Sequence, residues 1–323
     1  MSRLKIGIVG TGYISKYHYD AFSRNEDVTV AGMCTHSNRQ KLERMCKEWG
    51  IKPYSSFDEM AEDPEIDALV IASINADHYP QIMKSMNKGK HILVEKPLVT
   101  DFNHLDEIEK ASAEKGMLVF PGHNFLYREA VRKAKEILQE GKLGTVSYST
   151  FSSFFAVRQD HAVGWRREQS LAAGGAMMDS GHHQVYMSLY LLGLPKMLHS
   201  FGSRVIQKNM DCEDISQIQL LYPDESIGTI LQAWTSNFNE GMNEIRIVGD
   251  KGQLSITDAL YFNGEKLSSE VGYAASFNNQ ARAFTDCILK GTRPLHTLKD
   301  VRQALKLTYA AYRSSEKKEV VEF

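Results

Sequence analysis

Cysteine is scarce in this 323-residue chain: there are four, and none forms a CxxC pair. Cys34, Cys46, Cys212 and Cys287 therefore give neither a disulfide frame nor a thiolate zinc site, and they read as free thiols of a reducing compartment. Long apolar runs are missing as well, so no segment reads as a membrane span. The amino terminus passes from a short basic start directly into a strand-like run, without the apolar stretch and small-residue cleavage site of a secretory signal. Neither sign of charge is in excess, with 38 Lys and Arg against 40 Asp and Glu. The basic residues are dispersed among acids, which leaves no electrostatic footprint for nucleic acid or an anionic membrane. Repeats and low-complexity tracts are absent too. These absences predict a soluble, cytoplasmic, globular protein.

What is present is rhythm. Up to residue 120, short apolar runs at 4–9, 28–33, 68–72, 91–94 and 118–120 alternate with helix-like stretches at 15–23, 39–49, 57–61, 80–87 and 103–114. Runs this short, rich in Val and Ile and without polar alternation, fit strands buried on both faces of a parallel sheet. Ser56 and Glu59 stand at capping-box spacing before the third helix. The pattern predicts a doubly wound α/β domain over 1–122. From Pro121 onward it changes. A helix near 129–140, a strand near 146–155 and a helix near 177–192 precede strand-like segments at 197–206, 215–222, 226–234, 244–248 and 252–256. Short turns between several of these imply an antiparallel or mixed sheet. Two helices, 277–289 and 298–312, close the chain, the second with Thr297 and Asp300 at capping-box spacing. Residues 123–323 are thus expected to form a second α/β domain.

Gly10-Thr11-Gly12-Tyr13-Ile14-Ser15 follows the first strand and opens the first helix. There a dinucleotide fold turns tightly and brings backbone N–H groups to a pyrophosphate. Ser15 replaces the third glycine of the fingerprint. An acid roughly 20 positions further on would grip the ribose 2′-hydroxyl of NAD. The second strand ends instead in Cys34-Thr35-His36-Ser37-Asn38-Arg39, with no carboxylate. Thr35, Ser37 and Arg39 suit a 2′-phosphate through charge-assisted hydrogen bonds, which tilts the reading from NAD toward NADP. Arg39 equally suits the exposed start of a helix.

Further signals converge. Ser73-Ile74-Asn75-Ala76-Asp77-His78 ends the fourth strand and Glu95-Lys96-Pro97 the fifth; Gly164-Trp165-Arg166, Gly174-Gly175 and Asp179-Ser180-Gly181-His182-His183 follow. In this combination the chain resembles the glucose–fructose oxidoreductase, inositol dehydrogenase and rhizopine-catabolism (Gfo/Idh/MocA) family over essentially its whole length. The resemblance implies a Rossmann domain followed by an α/β domain with a large open sheet, and oxidation of a secondary alcohol of a sugar or polyol, or reduction of the matching ketone. It also implies a catalytic group of Lys96, Asp179 and His183, with Glu95 and Pro97 shaping the nicotinamide end. Asn75 and His78 would line the cofactor groove, and Trp165 and Arg166 would close over cofactor and substrate. Ala176 stands where relatives often have a third glycine, which is a departure.

The chemistry has its own logic. Hydride leaves a carbinol carbon only as the O–H proton is lost, so a base is needed, and an imidazole such as His183 titrates near neutrality. Lys96 can stabilise developing alkoxide charge. If 177–192 is helical, Asp179 and His183 share a face and Asp179 can orient the ring or contact a neighbouring hydroxyl. Taken singly, Lys96 also fits a solvated surface position and Asp179 a helix N-terminal carboxylate. His182 falls among Met178, Val185, Leu189 and Leu192 and reads as a packed or capping histidine. No third ligand accompanies Asp179 and His183, so no metal is expected. Ser73 lies at the cofactor edge, while Asn124, Tyr127 and Arg128 fit either the site or a domain link. Arg158 and Arg166 fit either a substrate anion or surface ion pairs. Two alternatives stay open: a redox-neutral NAD-dependent glycosidase of the same family, and a non-catalytic dinucleotide sensor. The apolar strands of the second half exceed what the last helices cover, which predicts a homodimer or homotetramer through that sheet.

Overall fold

The computed structural model describes residues 3–154, 156–157, 164–234, 242–268 and 272–323. The chain divides into two units that are not consecutive stretches, Met1–Asn124 with Tyr273–Val301 and Phe125–Gly272 with Arg302–Phe323.

The first unit runs β1 (Leu4–Val9), α1 (Tyr13–Ser23), β2 (Val28–Cys34), α2 (Arg39–Trp49), β3 (Lys52–Pro53), α3 (Phe57–Glu62), β4 (Ala68–Ile71), α4 (Asn75–Asn87), β5 (His91–Glu95), α5 (Phe102–Lys115) and β6 (Val119–Gly122). Its six strands lie in the order β3-β2-β1-β4-β5-β6 and all pair in parallel. That is the doubly wound sheet expected. Ile6, Ile8, Val70 and Leu93 are fully buried, as strands covered on both faces require. Ser56 caps α3 by accepting from the Glu59 N–H, while the Glu59 carboxylate reaches back to Ser55. One boundary is corrected. The fourth helix begins at Asn75, so Asn75–His78 are helix start rather than strand end, and Pro80 lies inside the helix instead of opening it.

The second unit holds α6 (Glu129–Gln139), β7 (Val146–Phe154), the short α7 (Gln169–Ala172), a π-helical turn (Met177–Gly181) that passes into α8 (His182–Leu192), and β8 (Met197–Ser203), β9 (Ile215–Leu221), β10 (Ile227–Ala233), β11 (Met242–Gly249), β12 (Gln253–Ile256), β13 (Leu260–Phe262) and β14 (Glu265–Lys266). After α9 (Tyr273–Lys290) come α10 (Leu298–Lys317) and β15 (Val321–Glu322). The nine strands are ordered β14-β13-β12-β11-β7-β10-β9-β8-β15, antiparallel except for the β7–β10 pair.

Cross-strand register sorts the solvent-facing positions of this sheet into rows. One row runs Tyr148, Ile227, Leu221 and Met197, and the next runs Thr150, Thr229, Gln219 and His199. The exposed face is therefore striped, apolar beside polar, rather than the continuous apolar patch expected.

Helix α9 belongs with the first unit, which corrects its sequence-based assignment to the second domain. The cause is its apolar spine: Phe277, Ala281 and Phe284, at helical spacing, are buried, and the Phe284 ring lies 6.1 Å from Phe22 of α1 and 5.5 Å from Phe120 of β6.

Candidate active site

In the first unit the turn after β1 needs its glycines for two different reasons. Gly10 has φ +105°, and a Cβ there would lie 2.4 Å from the Ala72 carbonyl oxygen. Gly12 precedes α1, and a Cβ there would meet nothing within 4 Å. Helix α1 has no acid in its first turn and no side-chain cap. Its first turn thus carries neither a capping side chain nor a carboxylate against the positive end of its dipole, which fits a dinucleotide pyrophosphate. Ser15, fully buried, fills the place of the third glycine. Ile14 is half-buried, and Tyr13, 69% exposed, shares a 2.6 Å hydroxyl contact with Tyr17.

At the end of β2, Thr35 Oγ1 and Ser37 Oγ are 3.4 Å apart, and Asn38 caps α2 by accepting from the Lys41 N–H at 2.9 Å. Arg39 is held on both sides. Its Nε donates to Glu43 Oε1 at 2.9 Å, and another guanidinium nitrogen donates to the Tyr54 carbonyl at 3.0 Å.

Lys96 follows the carboxyl end of β5, where open parallel sheets bind ligands. It is half-buried and bracketed by neighbours within the same unit. On one side Glu95 Oε2 accepts from the Lys96 backbone N–H at 3.2 Å, and Glu95 Oε1 meets His18 Nε2 at 2.8 Å. On the other, His78 Nδ1 lies 2.9 Å from the Pro97 carbonyl oxygen. Burial holds the His78 imidazole below its ordinary pKa. Asn75 is buried at the first position of α4, and Ser73 Oγ donates to Gln81 at 2.7 Å. Asn124, also buried, donates through Nδ2 to Ser276 Oγ at 2.9 Å, a structural tie to α9. His18 was missed from sequence, where a single histidine on a helix carries no signature of its partner.

In the second unit, Asp179 stands in the π-helical turn and His183 in the first turn of α8. Their four-residue spacing therefore spans a change of helix type, which the expectation of one uniform helix did not include. Trp165 and Arg166 share a single helical turn, Gly164–Arg167. Arg166 Nε lies 3.4 Å from Asp179 Oδ2, and its guanidinium is 4.4 Å from the Trp165 ring centroid. Of the two readings left open for Arg166, an ion pair is present, and its partner is Asp179. Arg158 lies outside the described residues. The His183 ring stacks on Phe125 at 4.1 Å and 15°, and its Nδ1 is hydrogen-bonded to the Tyr186 hydroxyl at 2.6 Å. Tyr186 Oη in turn accepts the Phe125 N–H at 3.1 Å, and the Arg128 guanidinium sits 3.4 Å from the Phe125 ring centroid. Tyr186 and Phe125 went unnoticed in sequence because apolar helices and turns carry such aromatics routinely. His182 is fully buried. Among the described residues no three His, Cys, Asp or Glu side chains gather as a metal site, and no helix is long and apolar enough to cross a membrane.

These features define a class, and comparison with known proteins gives its family. Residues 4–123 match the model described as "Oxidoreductase family, NAD-binding Rossmann fold", and residues 131–255 match the GFO/IDH/MocA C-terminal domain. The chain belongs to this oxidoreductase family and is an NAD(P)-dependent oxidoreductase. It is 22% identical to myo-inositol 2-dehydrogenase of Thermotoga maritima over 98% of each chain. It is 28% identical to scyllo-inositol 2-dehydrogenase (NADP(+)) IolU of Bacillus subtilis over 62% of this chain and 61% of that one. Levoglucosan dehydrogenase in complex with NADH and levoglucosan shares the fold, with a TM-score of 0.90 at 20% identity over 99% of both chains.

Proposed function

We propose that this protein interconverts a secondary alcohol and the matching ketone on a sugar, polyol or sugar derivative, and that Lys96, Asp179 and His183 carry the chemistry. The observation that carries the reading is local to the first unit: an uncapped α1 N-terminus and a lysine held between Glu95 and Pro97 at the carboxyl end of β5. A bound nicotinamide supplies the hydride acceptor or donor. Gly10, Gly12, Tyr13 and Ile14 would hold its pyrophosphate side, Ser73, Asn75, His78, Glu95, Pro97 and Asn124 would shape the groove, and Trp165 and Arg166 would take the covering role that the family resemblance implies. As the C–H bond of the alcohol gives up its electron pair, His183 Nε2 takes the O–H proton, and it returns that proton in the reverse direction. The Tyr186 contact at Nδ1 and the Phe125 stack fix the plane of the ring for this transfer. Lys96 donates a hydrogen bond to the same oxygen and lowers the cost of alkoxide character. Asp179, neutralised in part by Arg166, orients a neighbouring group.

Thr35, Ser37 and Arg39, without an acid at the end of β2, favour NADP over NAD. The protein works in the cytoplasm, and self-association as a dimer or tetramer uses the striped face of the second unit's sheet.

The test is the absorbance of reduced nicotinamide, with purified protein, NAD or NADP, and a panel of inositols, sugars and sugar phosphates. A signal that Lys96→Ala abolishes supports the reading. Cofactor that copurifies with the protein, without net reduction on any panel member, favours the redox-neutral alternative.

A further inference from the structure

The helical segment that carries Asp179 and His183 begins against a loop and a helix that sequence reasoning never connected to it. A helix leaves its first four N–H groups without internal partners. Here four consecutive donors, those of residues 175–178, are met by just two residues. The Gly175 N–H donates to Glu213 Oε2 at 3.0 Å and the Met177 N–H to Glu213 Oε1 at 2.9 Å. The Ala176 N–H donates to the Glu213 backbone carbonyl at 2.9 Å, and the Met178 N–H donates to the Tyr312 hydroxyl oxygen at 3.1 Å. The Tyr312 O–H then donates to Glu213 Oε1 at 3.0 Å, closing the set. The first internal bond of the segment follows at once, from the Asp179 N–H to the Gly175 carbonyl at 3.0 Å.

The glycine pair before this segment is explained by the same contacts. A Cβ at Gly174 would lie 2.1 Å from the Tyr312 hydroxyl, and one at Gly175 would lie 1.9 Å from the Glu213 carbonyl oxygen. Only glycine lets the two residues approach so closely. The carboxylate also sits at the positive end of the segment's dipole, where a negative charge is favoured. The segment makes a π-helical turn before it becomes an α-helix, so the angular offset between Asp179 and His183 depends on where the helical hydrogen bonds start. What fixes that start fixes the offset.

We infer that Glu213 and Tyr312 are positioning residues for Asp179 and His183, setting the register of the π-helical turn through the N–H groups of residues 175–178. This inference rests on the proposed catalytic roles of Asp179 and His183. The variants that test it are Glu213→Gln, Glu213→Ala and Tyr312→Phe. Ser314→Ala serves as a destabilised control on the same helix as Tyr312, because Ser314 Oγ accepts the Ser200 N–H of the sheet at 2.9 Å and donates to the Glu319 carbonyl at 2.6 Å, away from residues 175–178. With the best panel substrate, Glu213→Ala is expected to lower kcat about 10–100-fold while the cofactor KM stays unchanged, as small displacements of reacting groups do. Glu213→Gln, which retains one acceptor oxygen, should fall between Glu213→Ala and the parent, and the acid limb of the kcat/KM profile should move in both. Ser314→Ala should lower the melting temperature and leave kcat unchanged. A kcat within about twofold of the parent for folded Glu213→Ala, or an equal loss in Ser314→Ala, overturns the inference. If no panel member is turned over, the NMR titration of the His183 ring decides. A shifted titration with fast exchange of the residue 175–178 amides in Glu213→Gln supports the register role, and parent-like behaviour overturns it.

Discussion

Glu95 Oε1 lies 2.8 Å from His18 Nε2 inside the first unit, with the two side chains 10% and 2% exposed. The other Glu95 oxygen holds the backbone N–H of Lys96, so one buried contact fixes the entry to the proposed catalytic lysine. His18→Ala strands a buried carboxylate and removes the edge contact with the Phe277 ring at 5.1 Å. The expected loss is about 1–3 kcal/mol in urea unfolding, the cost of leaving a buried polar group without its hydrogen-bond partner. Turnover at a temperature where the variant is folded should fall as well. A variant as stable as the parent would show that Glu95 finds other partners.

The two glycines of the first turn should behave oppositely. Gly10→Ala faces both a positive φ and a backbone oxygen, so it should destabilise the protein by more than about 2 kcal/mol. Gly12→Ala meets no atom, so its unfolding midpoint should stay within about 0.5 kcal/mol of the parent. Cofactor affinity should nevertheless drop about tenfold or more, because the new methyl occupies the approach of the pyrophosphate. Calorimetry for stability and fluorescence titration for binding separate the two effects.

The parallel sheet was legible because its strands are uninterrupted apolar runs and helix α3 is capped by the recognisable pair Ser56 and Glu59; Thr297 with Asp300 likewise marked the start of α10. Strand β3 was not, since Lys52 and Pro53 are exposed and carry no apolar signature. Proline at position 80 hid the true start of α4, because proline usually opens a helix rather than sitting inside one. The return of α9 to the first unit depends on contacts between residues far apart in the chain, which periodicity does not encode. The site shows the same division. Local motifs singled out Gly10, Gly12, Lys96, Asp179 and His183 for the proposed site, whereas the contacts around those segments come from far off in sequence, such as His18 at 77 residues from Glu95 and Tyr312 at 134 from Met178.

Cofactor preference should turn on the pair Arg39 and Glu43. The Glu43 carboxylate occupies Arg39 Nε, so part of the guanidinium is already neutralised. Arg39→Ala is expected to weaken NADP binding about tenfold, one lost charge-assisted contact, and to leave NAD nearly unchanged. Glu43→Ala should shift preference further toward NADP. Equal effects of Arg39→Ala on both cofactors would place the arginine outside the ribose site.

Stability should decline on mild acidification. His91 Nδ1 accepts the Leu118 N–H at 3.0 Å, which requires an unprotonated nitrogen, and burial holds its pKa below the ordinary value. His296 is also pushed down by burial, and its Nδ1 stands 2.6 Å from that of His123. With folded pKa values below the unfolded one, the unfolded chain binds more protons. Stability is therefore fully present above about pH 6.5 and is lost as pH falls below it, by up to about 1.4 kcal/mol per pH unit for each such histidine. Calorimetry between pH 8 and 5 should show this slope, and His91→Gln, whose amide oxygen can still accept the Leu118 N–H, should flatten it. A midpoint independent of pH over that range would contradict the assignment.

The proposed exchange passes hydride between a nicotinamide and the carbinol carbon of a carbohydrate, with Lys96 and His183 acting on the oxygen. It is tested most directly with deuterium placed on the carbinol carbon of whichever inositol, sugar or sugar phosphate supports turnover. Transfer of that deuterium to the nicotinamide, with a loss of about 100-fold or more in kcat on Lys96→Ala or His183→Ala at unchanged cofactor affinity, is the predicted result. Reduced nicotinamide that carries no substrate deuterium, or variants that turn over like the parent, would contradict it.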